Sequence, residues 1–216
     1  MEKTMINDLT TGSVGKELLR FSFPFMLSNA LQTVYNLVDM VIVGQFVGSA
    51  GLTAVSLGGQ ITWLLSCLAI GYASGGQIFI SQLVGTRDRE GIRRTIGTLF
   101  SVIALFSILF TVLGIVVHRP LLGLLNTPAE AMEQAADYVV VCSAGMFFVY
   151  GYNTVSAVLR GMGDSTRPFL FIAIAAIVNV ILDLVFVGAM GMESGGAALA
   201  TVISQAASFI ISMIYL

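Results

Sequence analysis

PFMLSNALQTVYNLVDMVIVG, from Pro24 to Gly44, and PFLFIAIAAIVNVILDLVFVG, from Pro168 to Gly188, decide how this chain is read. Each opens Pro-Phe, carries one aspartate fifteen residues after the proline and closes on Asp-x-Val-x-Val-Gly, at a constant offset of 144 residues without a gap. Apart from Asp39 and Asp183, neither run holds a charged residue. About 20 apolar residues are what a helix needs to cross a bilayer. Each run therefore reads as a membrane span with one carboxylate inside it.

The rest of the chain agrees. Charged residues make up 10% of the 216 and hydrophobic ones 56%, with a mean hydropathy of +0.92. Soluble domains carry roughly 25% charged residues, and a water-facing surface cannot be covered with so few. The composition also offers no basic face for nucleic acid. Cys67 and Cys142 lie in apolar runs and read as small buried hydrophobes. Residues 1–20 are polar and lack an apolar core before a cleavage site, so they read as a cytoplasmic N-terminal segment rather than a signal peptide. No nucleotide motif is present, which leaves an ion gradient or a partner as the source of energy.

Six spans are expected, at about 21–44, 52–84, 95–117, 137–159, 168–188 and 195–216. None alternates with the period of two that a barrel strand requires. The second is long enough to tilt or to project from the bilayer. Charge in the connections is lopsided. Lys3, Lys16 and Arg20 precede span 1; Arg87, Arg89, Arg93 and Arg94 follow span 2; Arg160 and Arg167 follow span 4. The opposite side has Arg119 beside His118, in the loop HRPLLGLLNTPAE. By the positive-inside rule the N-terminus is cytoplasmic and the odd-numbered spans run outward. Gly71 and Gly75 form a GxxxG pair, for which close helix packing is the default reading. After the last span no Lys or Arg follows, and the expectation is one half of a larger assembly.

Fifteen helical residues rise about 22 Å, so Asp39 and Asp183 are expected at similar depth in the outer half of the membrane. A charge placed mid-span costs about 2.5–3.5 kcal/mol on insertion scales. One reading is structural: a buried hydrogen bond, or carboxylates reaching the outer headgroups. The other is a cation or proton site, since two carboxylates in one dry cavity cannot both stay ionised without a counter-ion. Asn179, one turn before Asp183, and Thr201 in span 6 would complete an oxygen cage for Na+.

Several segments together resemble the MATE (multidrug and toxic compound extrusion) family of transporters. They are Pro24 through Asp39 to VIVGQFVG, the loop LRGMGDSTRP (159–168), and Asn179 with Asp183. The resemblance implies an all-α membrane protein whose six transmembrane helices form the N-terminal lobe of a twelve-helix transporter. The second six-helix lobe is absent from this chain and would be supplied in cis or by a second chain. It further implies a multi-pass protein of the cytoplasmic membrane, surrounded by lipid, that exports drugs or other organic, often cationic, compounds against inward Na+ or H+ flux. Neither enzymatic activity nor a cofactor beyond the coupling ion is expected. Asp39, Asn179, Asp183 and Thr201 would form the coupling site, Gln32, Tyr35 and Asn153 would line the substrate cavity, and Pro24 would be a hinge. Three alternatives stay open: a flippase for lipid-linked oligosaccharide, a half-size homo-oligomeric transporter or channel, and a purely structural membrane subunit.

Overall fold

The computed structural model describes residues 13–216, so Lys3 and residues 1–12 of the expected N-terminal segment lie outside the described residues. Those described form α1 (Val14–Phe46), α2 (Ser49–Gly85), α3 (Arg89–Leu124), α4 (Ala129–Ala144), α5 (Met146–Gly161), α6 (Thr166–Asp183) and α7 (Glu193–Tyr215). One π-helical segment, Leu184–Ala189, continues α6. No strand occurs among the described residues.

Four helices are long and apolar enough to cross a membrane: α2, α3, α6 with its π segment, and α7. Helices α4 and α5, bent by 52° where they meet, make a fifth if taken together. α1 is as long as these but less apolar, because Ser28, Asn29, Gln32, Thr33, Asn36 and Asp39 fall in its middle. α2 is one unbroken helix of 37 residues, about 55 Å at the α-helical rise and longer than a hydrocarbon core of about 30 Å.

Three local features depart from the sequence reading. The first is α3, which runs on through Pro120 to Leu124 where an exterior loop was expected. Pro120 forfeits one backbone hydrogen bond, and burial of Leu122 against α2 and α4 compensates. Second, the span expected at 137–159 breaks at Gly145, where any Cβ would strike the side chain of Val202 on α7. Thr111 of α3 donates 2.8 Å to the carbonyl of Ser143 at this break, satisfying a backbone group close to the helix end. Third, the Gly71/Gly75 face is not a helix contact within the described chain. Nothing lies within 4 Å of a Cβ built on either glycine, and both line an apolar groove between α2 and α3.

Helix α6 packs on α1 and α7; α2 packs on α3, α4 and α5; α7 also meets α4 and α5. Three apolar clusters hold this arrangement. One, with Ile80, Ile92, Leu159 and Phe171, sits at the end where the arginine-bearing turns between α2 and α3 and between α5 and α6 lie. A second, with Leu65, Phe110, Val139 and Tyr150, fills the space between α2, α3, α4 and α5. The third, with Val43, Tyr138, Val187 and Ala197, closes the other end. Large apolar side chains such as Leu37, Val41, Leu68, Ile108, Val116 and Ile177 are exposed around the outside, as expected of a lipid-facing surface.

The turn between α5 and α6 is tight. Gly163 has φ +86°, Asp164 accepts from the backbone of Thr166 and Arg167, and Arg167 pairs with Asp164 at 2.5 Å. Just before it, Gly161 lets α5 reach the backbone of α2: a Cβ there would lie 2.8 Å from the carbonyl oxygen of Gln77 and 3.0 Å from Ile80. A backbone carbonyl cannot move aside as a side chain does. Gly161→Ala should therefore lower the thermal midpoint in detergent, by the ~1–3 kcal/mol typical of overpacking. Gly71→Ala, in open space, should hold the midpoint or raise it, since alanine favours the helix by about 1 kcal/mol.

Candidate functional site

Asp39 lies near the end of α1, one turn before Ile42 and Val43 of the third cluster. Asp183 is the last α-helical residue of α6, and the wider π turn begins immediately after it. Such π segments insert an extra residue into the turn and recur at functional positions. Here the π segment brings Val187 into the same cluster as Val43 and Ala197, beside Asp39 and Asp183.

Because α1 and α6 pack together, the two carboxyl groups are close enough to interact. Asp39 is 6% exposed, Asn179 1% and Asp183 fully buried. Asn179 donates at 3.5 Å to the hydroxyl of Thr201 on α7, so three helices contribute to one polar cluster. Its acceptors are not matched by donors. Asp39 Oδ1, both carboxylate oxygens of Asp183 and Asn179 Oδ1 are buried without a hydrogen-bond partner among the described residues. Two facing carboxylates cannot satisfy each other, since neither donates unless one carries a proton.

An unsatisfied buried acceptor costs about 1–3 kcal/mol, and more when charged. Four in one place have the chemistry to take a proton shared between the carboxyl groups, or a small hard cation ligated by oxygen. The donor set of two carboxylates, one amide oxygen and one hydroxyl has the chemistry such a cation requires. No group of three or more His, Cys, Asp or Glu that could hold a metal ion is found among the described residues.

Asp39 and Thr201 also open onto a cavity of about 540 Å³, whereas Asp183 and Asn179 sit behind them and do not line it. Gln32, Tyr35 and Asn153 all line this cavity. The Tyr35 hydroxyl accepts from the amides of Gln32 at 3.4 Å and Gln205 at 3.5 Å. Gln205 was not among the residues expected from sequence. It stands one turn after Thr201 on α7, and that i, i+4 spacing of two polar residues in an apolar span was the signal available. Tyr138 and Cys142 of α4, and Thr62, Trp63 and Ser66 of α2, also line the wall. They are scattered one or two to a turn through apolar sequence and left no pattern to read.

Pro24 lies within α1 and does not line the cavity. It removes the hydrogen bond to the carbonyl of Arg20. Ser28 and Asn29 then bond back to the carbonyls of Pro24 at 2.9 Å and Phe25 at 3.2 Å, and Thr33 to that of Asn29 at 3.0 Å. Back-bonding of this kind weakens and bends helices, so the missing bond at Pro24 and three back-bonded side chains together loosen the stretch from Pro24 to Thr33.

The family model MatE matches residues 24–185. The chain is similar to the "Probable multidrug resistance protein YpnP" of Bacillus subtilis, with 33% identity over 208 residues, 96% of this chain and 47% of that protein. Among solved structures it is similar to a "MATE in the bent conformation", with TM-score 0.89, 29% identity and coverage of 95% of this chain and 46% of the other. Against a "MATE in the straight conformation" the TM-score is 0.84, with 29% identity and coverage of 94% and 44%. The chain spans about half the length of the curated relatives it matches. With the family pattern running from Pro24 past Asp183 and the same fold in solved relatives, the chain belongs to the MatE family, as a half-length helical lobe.

Proposed function

We propose that this chain is one lobe of a multi-pass exporter in the cytoplasmic membrane, moving drugs or other organic compounds in exchange for Na+ or H+. The observation that carries the reading is the set of four buried, donorless oxygens on Asp39, Asp183 and Asn179. Similarity to a protein named for multidrug resistance supports the export of organic compounds. On this reading α1 is a sixth span, with its polar face turned to the cavity, and the arginine-bearing end is cytoplasmic. A second six-helix lobe, in cis or on another chain, encloses the cavity from the other side.

The proposed cycle follows from the charge. With no cation bound, the two carboxylates repel across α1 and α6 in a low-dielectric setting. A proton or Na+ shared between them removes one of the two charges, relieves that repulsion and allows the helices to close. Asp39 and Thr201 stand both in the cation cluster and in the cavity wall. Occupancy by the cation therefore alters the wall that a substrate meets, and the two ligands compete through a shift between conformations. The weakly braced stretch from Pro24 to Thr33 is where α1 bends in response.

Two measurements test this. In proteoliposomes of the complete transporter, Asp39→Asn or Asp183→Asn should abolish efflux driven by a Na+ or pH gradient, and normal efflux from both variants would sink the coupling site. The loss should not come from misfolding. Asp183→Asn supplies an amide donor to Asp39, so its thermal midpoint should rise by an amount corresponding to ~1–3 kcal/mol, the cost of an unsatisfied buried group. The native protein should gain stability on addition of Na+ or on acidification, and the Asp183→Asn variant should not. Indifference of the native protein to both would leave the aspartates structural.

A further inference from the structure

Below the main cavity, toward the arginine-bearing end, lies a second chamber of about 340 Å³, with Phe25, Gln77, Tyr152, Asn153, Ser156 and Arg160 in its wall. We propose that this chamber is an anion site, in which Arg160 and Ser156 take the carboxylate or phosphate group of a transported molecule. The proposal rests on the reading that organic molecules pass through this lobe, and adds to it a substrate class.

Arg160 is half-buried, yet no carboxylate lies within ion-pair distance of it among the described residues. Its Nε donates to Gln77 Oε1 at 3.0 Å, and its guanidinium lies over the Phe25 ring at 5.2 Å from the centroid. Those two contacts hold the group by one edge and one face. Both terminal nitrogens are left without a hydrogen bond among the described residues, and Arg160 lines the chamber. Ser156, 1% exposed, also lines the chamber, and its Oγ, near the Tyr152 side chain, makes no hydrogen bond of good geometry among the described residues. Tyr152 is already spent on the carbonyl of Pro168 at 3.0 Å.

A topological role accounts for Arg87, Arg89, Arg93 and Arg94, which are exposed. It does not account for Arg160, which turns inward. The close approach of α5 to α2 at Gly161 sets it beside Gln77. A half-buried guanidinium without a counter-charge is poorly compensated, and its planar fork, open to the chamber, matches a carboxylate or phosphate in bidentate fashion. Asn29, Gln32, Ile70 and Asn153 line both chambers. A molecule reaching across them would meet Asp39 toward one end and Arg160 toward the other, which suits an organic acid or a zwitterion.

The test is isothermal titration of the complete transporter, in phosphatidylcholine nanodiscs, with 2-naphthoate and with the neutral 2-naphthylmethanol. The acid should bind about tenfold tighter than the alcohol, the scale of a hydrogen bond to a charged group. Arg160→Gln should erase that preference and leave the alcohol unchanged. Should this variant fail to fold for want of the Gln77 and Phe25 contacts, Ser156→Ala should weaken the acid by about threefold while sparing the alcohol. Equal affinity of native protein for acid and alcohol overturns the proposal, as does an acid preference that survives in every folded variant. Repeating the titration with phosphatidylglycerol in the disc separates the two sources of anion. Unchanged naphthoate affinity assigns the site to cargo; an Arg160-dependent loss assigns it to lipid headgroups and overturns the cargo assignment. No gradient is present in this experiment. An aspartate variant that loses efflux but keeps the naphthoate preference upholds the coupling site and the anion site independently. Native efflux in both aspartate variants with the preference intact overturns only the coupling site.

Discussion

Four buried oxygens that lack donors, on Asp39, Asp183 and Asn179, are the constraint around which the lobe is arranged. In water such acceptors are satisfied at no cost, whereas between α1, α6 and α7 no protein group donates to them, and a proton, a cation or a water molecule must do so. The cluster therefore contributes nothing favourable to folding as it stands, and the helices bearing it must be held by other contacts. The apolar clusters on either side do this, one through Val43, Val187 and Ala197, the other through Ile80, Leu159 and Phe171. A polar centre that is unsatisfied, clamped by packing above and below, is a place where binding one small cation changes the balance of forces most.

The polarity of the cavity runs along the membrane normal in the proposed orientation. Asp39 stands at one end, Arg160 at the other, and neutral amides and hydroxyls of Gln32, Asn29 and Asn153 lie between. Neither charge neutralises the other, because no ion pair joins Asp39 and Arg160. Such a gradient of charge orients an amphoteric molecule without demanding a fixed shape, and the apolar walls supplied by Ile70, Met146 and Val149 tolerate varied bodies.

Much of this was legible before any fold was seen. The repeat that pairs Pro24–Gly44 with Pro168–Gly188 placed both aspartates fifteen residues past a proline, and their meeting follows once α1 and α6 pack together. Asn179 and Thr201 could be added from helical spacing and resemblance. Other features were hidden. GxxxG at Gly71 and Gly75 has the residues for close packing and faces open groove instead, because helix α3 comes nearest one residue later, at Gly76 against Leu99. The break at Gly145 depends on Val202, more than fifty residues away, and continuation of α3 past Pro120 depends on a pocket for Leu122 built by other helices. Gln205 is one polar residue in an apolar span until Tyr35 is seen beside it.

By itself the sequence determined that the chain lives in a bilayer and which residues carry charge into it, because both follow from composition and period, which are local properties. It also determined that both carboxylates stand fifteen residues past a proline, since spacing along a helix is set by residue count alone. Only the tertiary structure decided that their oxygens are buried together with no donor, that Asp183 and Asn179 sit behind the cavity wall rather than in it, and that Arg160 turns inward without an acidic partner among the described residues. Those facts depend on the rotation of each helix about its axis. That rotation is set by the packing of glycines, valines and aromatic rings across helices, contacts that no single span encodes.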